Sequence, residues 1–326
     1  MKPIFSIIIP CYNVEAFVDQ AIQSCLNQVG IAEDEFEIIA INDGSTDNTA
    51  EQLSKYANLS NVIVINQTNS GLSVTRNNGI DKTSGEYILF LDGDDWYSED
   101  ALSILKQYVG RADLVIFPME YYYSDTNTKC LSFGLREEYI YSPNELLKET
   151  IGKSKFQTCP APTKCYKMSI LKEYNQRFIE GILHEDGPYY LETLHNVSSV
   201  MYIERYLYHY RQFRPGSITT VKRTWRNAEG IFKGQKRVYD IYGNSNKDIN
   251  FYFISSSVMQ LIQPYSSEDD VYKVIKYMSA KTFKKFMWQS LLNSRFDLKT
   301  IVYAIITIIS PKITRVIYNR LKKRQT

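Results

Sequence analysis

Three carboxylates crowd one short stretch of this chain: Asp92, Asp94 and Asp95, in Glu86-Tyr-Ile-Leu-Phe-Leu-Asp-Gly-Asp-Asp-Trp-Tyr97. Like charges this close repel one another unless a cation neutralises them. Oxygen-only donors suit a hard divalent cation, Mg²⁺ or Mn²⁺, carrying substrate phosphates. Gly93, between Asp92 and Asp94, lets the backbone turn and a ligand come close. The competing reading is an acidic, solvated loop without metal, and the stretch alone leaves the two open. A second acidic pair, Glu185-Asp186, lies in Gly181-Ile-Leu-His-Glu-Asp-Gly-Pro-Tyr-Tyr190 and opens a predicted helix over 188–195. Pro188 suits the first position of that helix.

The elements that must position these groups follow from the hydrophobic pattern. The apolar run 86–91, bounded by Gly85 and the acidic turn, reads as a buried parallel strand. Open α/β sheets bind ligands beyond the carboxyl ends of their strands, where these acids stand. Three β-branched runs precede it, at 4–9, 36–41 and 61–65. Between them Val18, Ala21, Ile22, Cys25 and Val29 share one helix face, and Ala50, Leu53 and Ala57 another. Asn69-Ser70-Gly71 opens a third helix, with Arg76, Asn77 and Asn78. Strands and helices in alternation predict right-handed βαβ units and a mostly parallel, doubly wound sheet. A helix and strand are predicted next, at 99–109 and 113–118. A hairpin, a helix over 142–151 capped by Ser142, and an extended return strand over 200–210 follow.

The 326 residues allow one large domain with an appendage, or two domains. Five cysteines, an odd number with no C-x-x-C pair, fit a reduced, cytoplasmic compartment, with Cys11 and Cys25 packing as small apolar groups. His184, His195 and His209 have no zinc spacing. No signal peptide is read before the first strand. The dinucleotide glycine fingerprint, the P-loop and the G-x-S-x-G elbow are all missing, which weakens dehydrogenase, ATPase and hydrolase readings. The net charge of +2 hides a split: from Lys281 onward the chain carries eleven basic residues and one acidic, a net of +10 against −8 before it. Such an end suits an anionic surface. Within it, Ile301-Val-Tyr-Ala-Ile-Ile-Thr-Ile-Ile309 is apolar all round but too short for a standard transmembrane helix. After Pro311, Ile313, Val316, Ile317 and Leu321 line a helix face flanked by Lys312, Arg315, Lys322 and Lys323.

Five motifs in register resemble glycosyltransferase family 2: Ile-Pro-Cys-Tyr-Asn, Ile-Asn-Asp-Gly-Ser-Thr-Asp, Asn-Ser-Gly-Leu-Ser-Val-Thr-Arg-Asn-Asn-Gly, Leu-Asp-Gly-Asp-Asp and His-Glu-Asp-Gly. They lie within 4–217. The resemblance implies a GT-A fold over residues 1–225; no motif carries over to 226–326, whose charge and apolar faces read as a helical, basic extension lying on a membrane surface, or else as a helical cap or dimer contact. Among relatives the chain looks most like bacterial enzymes that build O-antigen, capsule or exopolysaccharide.

The same resemblance implies roles. Pro10, Tyr12, Asn13, Asp43, Arg76, Asp92, Gly93, Arg211 and Ser217 would bind the nucleotide sugar. Tyr12 would stack on the base, or only pack over the sheet edge. Asp43 would accept hydrogen bonds from base or ribose, or serve as a turn aspartate. Arg76 would sit near uracil and diphosphate. Asp94, with Asp92, would hold Mn²⁺ or Mg²⁺. Arg211 and Ser217 would close over the diphosphate. Asp186, or else Glu185, would be the general base, against an acidic helix start favoured by the dipole. Lys164 would contact the acceptor or a phosphate. The reaction would be inverting, from a UDP-sugar (UDP-glucose or UDP-galactose) to a hydroxyl of an undecaprenyl-diphosphate-linked saccharide, with no role for nucleic acid. The competing readings are a polyprenyl-phosphate glycosyltransferase, a nucleotidyltransferase, and a non-enzymatic sugar-nucleotide or membrane-binding module. Q-x-x-R-W, the mark of processive synthases, is missing.

Overall fold

A computed structural model describes residues 2–153, 155–213, 222–243, 245–293 and 298–322. The chain forms two compact units. The first comprises Met1–Glu145, Gln157–Gly181 and Tyr189–Pro215. The second comprises Leu146–Phe156, Ile182–Pro188 and Gly216–Thr326.

In the first unit β1 (Phe5–Cys11), α1 (Val18–Leu26), β2 (Phe36–Asp43), α2 (Thr49–Ser54), β3 (Val62–Gln67), α3 (Leu72–Lys82) and β4 (Tyr87–Phe90) alternate as the pattern predicts. Next come β5 (Trp96–Tyr97), α4 (Ala101–Lys106), β6 (Leu114–Ile116), β7 (Met119–Ser124), β8 (Asn127–Cys130), β9 (Tyr139–Tyr141) and α5 (Pro143–Glu149). Then follow β10 (Lys164–Lys167), α6 (Met168–Glu173), α7 (Asp186–Asn196), β11 (Val200–Tyr202) and β12 (Tyr208–Arg211), with α5 from Leu146 on and α7 up to Pro188 belonging to the second unit.

The large sheet has the order β3-β2-β1-β4-β10-β6-β11-β9. Its β3, β2, β1 and β4 are mutually parallel, so their carboxyl ends share one edge. All seven residues of β1 are buried, which is why every one but Ser6 is apolar. β10 runs antiparallel between β4 and β6 and makes the sheet mixed. The side chain missing at Gly79 lets α3 close on β1: a Cβ there would stand 2.4 Å from Ile8 Cγ2.

Three expectations change. The extended stretch over 200–210 is two strands in two sheets: β11 pairs with β6 and β9, while β12 pairs with β5 and β7 in a second sheet of order β5-β12-β7-β8. Val29 lies beyond the end of α1 and is exposed. The helix expected from Pro188 starts two residues earlier, at Asp186.

The second unit holds α8 (Trp225–Tyr242), α9 (Lys247–Ile262), α10 (Glu268–Ser279), α11 (Lys281–Leu292), α12 (Leu298–Ile309) and α13 (Pro311–Lys322). Asn246 and Ser267 cap α9 and α10 through side-chain oxygens that accept backbone N–H groups. Phe232, Ile254, Leu261, Val274, Met278, Met287 and Ala304 build its core. Residues 146–156 join it through Gly152, where a Cβ would stand 2.4 Å from Asp248 Oδ1. Along α12 Ala304 and Thr307 are fully buried, and Val302 and Ile309 face outward. Among the described residues no helix is long and apolar enough to cross a membrane.

Candidate active site

The structure divides the three adjacent acids into three environments. Asp92 accepts a hydrogen bond from Arg76 Nη2 at 2.8 Å. Asp95 is buried, accepts from Tyr208 Oη at 2.5 Å, and takes the backbone N–H of Arg211 at 2.8 Å. Burial, then the negative charges of Asp94 and Asp92, push the Asp95 carboxyl well above the usual carboxylate range, against those two hydrogen bonds. Asp94 is half-buried, and its carbonyl accepts Arg211 Nε at 2.9 Å. Gly93 is tightly seated: a Cβ there would lie 3.1 Å from the Pro10 carbonyl.

Around this turn, strand ends and helix starts are tied to one another, and two arginines bond the turn itself. Asn13, with φ 50, donates its N–H to Ser45 Oγ at 3.1 Å, and its Oδ1 accepts the Thr46 N–H at 2.8 Å. The loops after β1 and β2 are thereby joined, while Tyr12 stays 47% exposed. Asp43 accepts from Gln67 Nε2 at 2.8 Å, Ser70 N–H at 2.7 Å and Gly71 N–H at 2.8 Å. That is the turn-bracing role, and it fixes the start of α3. From α3, Arg76 reaches Asp92 while lying over the rings of Phe178 and Phe90, at 5.2 and 5.8 Å. Arg211 is wedged among Phe17, Trp96 and Tyr122 and donates to Gln20 Oε1 at 2.6 Å. Tyr12, Asn13, Asp43, Arg76, Asp92, Asp94 and Arg211 are therefore brought to one edge of the first unit. Ser217 lies outside the described residues.

The remaining candidates are Lys164, Glu185 and Asp186. Lys164 is fully buried: its Nζ donates to the Pro160 carbonyl at 2.5 Å and sits 4.4 Å from the Tyr190 ring centre. The acceptor role expected of it needs an accessible ammonium, so the structure gives Lys164 a packing role instead. Glu185 and Asp186 belong to the helical unit. Glu185 is 6% exposed, and Asp186, less buried, is the first residue of α7. Gly181 makes a left-handed turn, with φ 70, and Gly187 is helical.

Among the described residues no group of three or more His, Cys, Asp or Glu side chains is gathered to hold a metal ion. A Mg²⁺-type ion carried by phosphates needs only one or two protein carboxylates. Asp94 and the 31%-exposed Asp92 are a donor set of that kind.

The family model for glycosyl transferase family 2 matches residues 6–174. The chain belongs to this family. It is 31% identical to glycosyltransferase GlyA of Streptococcus pneumoniae over 68% of this chain and 32% of that protein. It is also 31% identical to the putative glycosyltransferase EpsH of Bacillus subtilis, over 64% of this chain and 61% of that protein. The chain thus spans a third to three fifths of the length of these two relatives. A crystal structure of S. aureus TarS 1–349 in complex with UDP superposes with a TM-score of 0.69 at 19% identity, covering 99% of this chain and 92% of that one. At that identity the likeness speaks of the fold, which is GT-A.

Family motifs point to the acids and to Arg76 and Arg211, but not to the residues that hold them. Tyr208 hydrogen-bonds Asp95 and also accepts the Asp92 N–H at 3.4 Å. Asn77 exchanges two hydrogen bonds with the Phe178 backbone, at 3.0 and 2.9 Å, which seats the ring under Arg76. The signal for Asn77 was a polar residue on the buried face of a helix. For Tyr208 it was only its place three residues before Arg211.

Proposed function

We propose that this family member is an inverting, metal-dependent hexosyltransferase that moves one sugar from a UDP-sugar, UDP-glucose or UDP-galactose, onto a hydroxyl of a lipid-linked saccharide. The acceptor is an undecaprenyl-diphosphate-linked unit of a bacterial surface polysaccharide (O-antigen, capsule or exopolysaccharide), and the new linkage is β. The observation that carries the reading is the division of labour beyond β4: one acid paired with Arg76, one buried, and one half-buried beside Arg211. The fold shared with a UDP-bound TarS structure supports a uridine nucleotide as the donor's leaving half.

In this reading Tyr12 covers the base. Asp94 and Asp92 would hold Mn²⁺ or Mg²⁺, which when bound would supply Lewis-acid stabilisation of the departing diphosphate. Arg76 pairs with Asp92 and offsets part of its charge. Asp186 accepts the proton of the acceptor hydroxyl as its oxygen bonds to the anomeric carbon. The bond from that carbon to the diphosphate breaks, UDP leaves with the electron pair, and the configuration inverts. Glu185, the more buried acid, braces the loop. The protein works on the inner face of the cytoplasmic membrane, held by the basic, partly apolar surface of α11–α13.

Calorimetry with UDP, GDP and ADP, followed by a screen of UDP-sugars against a sugar-diphosphate-lipid with the linkage read by NMR, tests the reading. UDP should bind at least tenfold more tightly than the other two, and one UDP-sugar should yield a β-linked product. Preference for GDP or ADP, or an α-linked product, overturns it.

A further inference from the structure

The stretch that bears the acid pair rests on one face of α8, within the helical unit. Asn227, Gly230 and Gly234 share that face by helical spacing. A Cβ at Gly230 would stand 2.2 Å from the Leu183 carbonyl oxygen and 2.9 Å from the Leu183 nitrogen. Backbone meets backbone there, so only glycine fits. At Gly234 a Cβ would stand 3.0 Å from Pro188 Cγ. These two contacts flank Glu185 and Asp186 in sequence.

Between them lies His184, whose Nε2 is 3.3 Å from Asn227 Nδ2. The Asn227 amide is oriented by its other end: Oδ1 accepts the Thr224 N–H at 2.9 Å in the cap of α8. Its nitrogen therefore faces the imidazole, Nε2 accepts, and the ring proton sits on Nδ1. His184 has φ 66, a left-handed backbone that a non-glycine residue adopts only when its surroundings enforce it. Burial, then Arg223, pushes its pKa down to about 4, so the imidazole stays neutral as an acceptor must.

We propose that this face of α8 is the seat of the general base: Asn227, His184 and Gly230 are positioning residues that fix where Asp186 begins α7. The proposal rests on Asp186 being the base. A bound group about 1 Å out of place costs roughly 10²-fold in rate, so the seat should show in turnover while donor binding stays intact.

The test uses the full chain and four variants: Asp186→Asn, Gly230→Ala, His184→Leu and His184→Gln. Measurements are kcat, KM for the donor, UDP affinity by calorimetry, and melting temperature. Asp186→Asn should lose about 10²–10⁴ in kcat. Gly230→Ala and His184→Leu should each lose at least tenfold in kcat, with UDP affinity within twofold of the parent. His184→Gln, which keeps an acceptor for Asn227, should regain most of the loss. If Gly230→Ala does not fold, the His184 pair carries the test. Parental kcat in His184→Leu beside an inactive Asp186→Asn overturns the seat alone. Equal loss in His184→Leu and His184→Gln, in step with falling UDP affinity and melting temperature, overturns it as mere destabilisation. Parental kcat in Asp186→Asn overturns the base reading and the seat with it.

Discussion

Arg76, 1% exposed, donates from Nη2 to Asp92 Oδ1 at 2.8 Å, across the boundary from the interior of the first unit to its surface. The guanidinium cannot lose its charge, and it is the buried partner of this pair. Loss of a buried partner costs about 3–5 kcal/mol, less here because Asp92 is 31% exposed. Arg76→Ala should therefore lower stability by about 2 kcal/mol and weaken UDP binding. Arg76→Lys should keep the charge, lose the planar fork over Phe178, and recover only part of either. Urea midpoints and calorimetry check both, and a neutral Arg76→Ala contradicts the role.

Asp94 should carry most of the metal dependence, because Arg76 shares Asp92 and Asp95 is buried. EDTA should abolish transfer, and added Mn²⁺ or Mg²⁺ should restore it. Asp94→Ala should fold normally and transfer at least a hundredfold more slowly. Full activity of Asp94→Ala in EDTA would remove the metal from the reaction.

His184 should make stability fall in mild acid. Its pKa lies at about 4 in the folded chain against 6.5 when unperturbed. Above pH 6.5 the ring is neutral in both states. As pH falls from 6.5 towards about 4, the unfolded chain binds a proton that the folded chain, with Arg223 beside the ring, does not. Stability therefore declines across that window, by up to about 3 kcal/mol, and this contribution levels off below it. Melting temperatures between pH 7.5 and 4 should fall less steeply in His184→Gln. Parallel curves for the two proteins would refute this.

The membrane reading rests on exposed apolar groups among basic ones. Trp288, Leu292, Val302, Ile309, Ile313 and Val316 are exposed, Ile309 by 68%, and so are Lys285, Lys312 and Arg320. Each surface basic residue contributes about 1 kcal/mol on an anionic leaflet. Lys312→Ser with Arg320→Ser should weaken flotation on phosphatidylglycerol vesicles roughly 30-fold. Neither form should float on phosphatidylcholine. Unchanged flotation of the double variant, or self-association by the same face, counts against the idea.

The sequence by itself determined the parallel half of the sheet. Central strands buried on both faces must be mostly apolar, and β1, β2 and β4 are, each with an apolar stretch of at least four residues. It also placed polar turns beyond their carboxyl ends, because alternating strands and helices leave little topological freedom. The helix after the acid pair was legible too, in acids followed by proline, though its start was placed two residues late, at Pro188. The stretch 200–210 was misread because periodicity marks extended chain but carries no information on which sheet a strand joins. Only the tertiary structure decided which of three neighbouring aspartates is paired, which is buried and which is left half-buried. Their directions depend on the turn's backbone and on partners far along the chain, Arg76 and Tyr208. Only it placed 182–188 with the helical unit, since the fit of Gly230 against Leu183 is a close approach that no local pattern encodes.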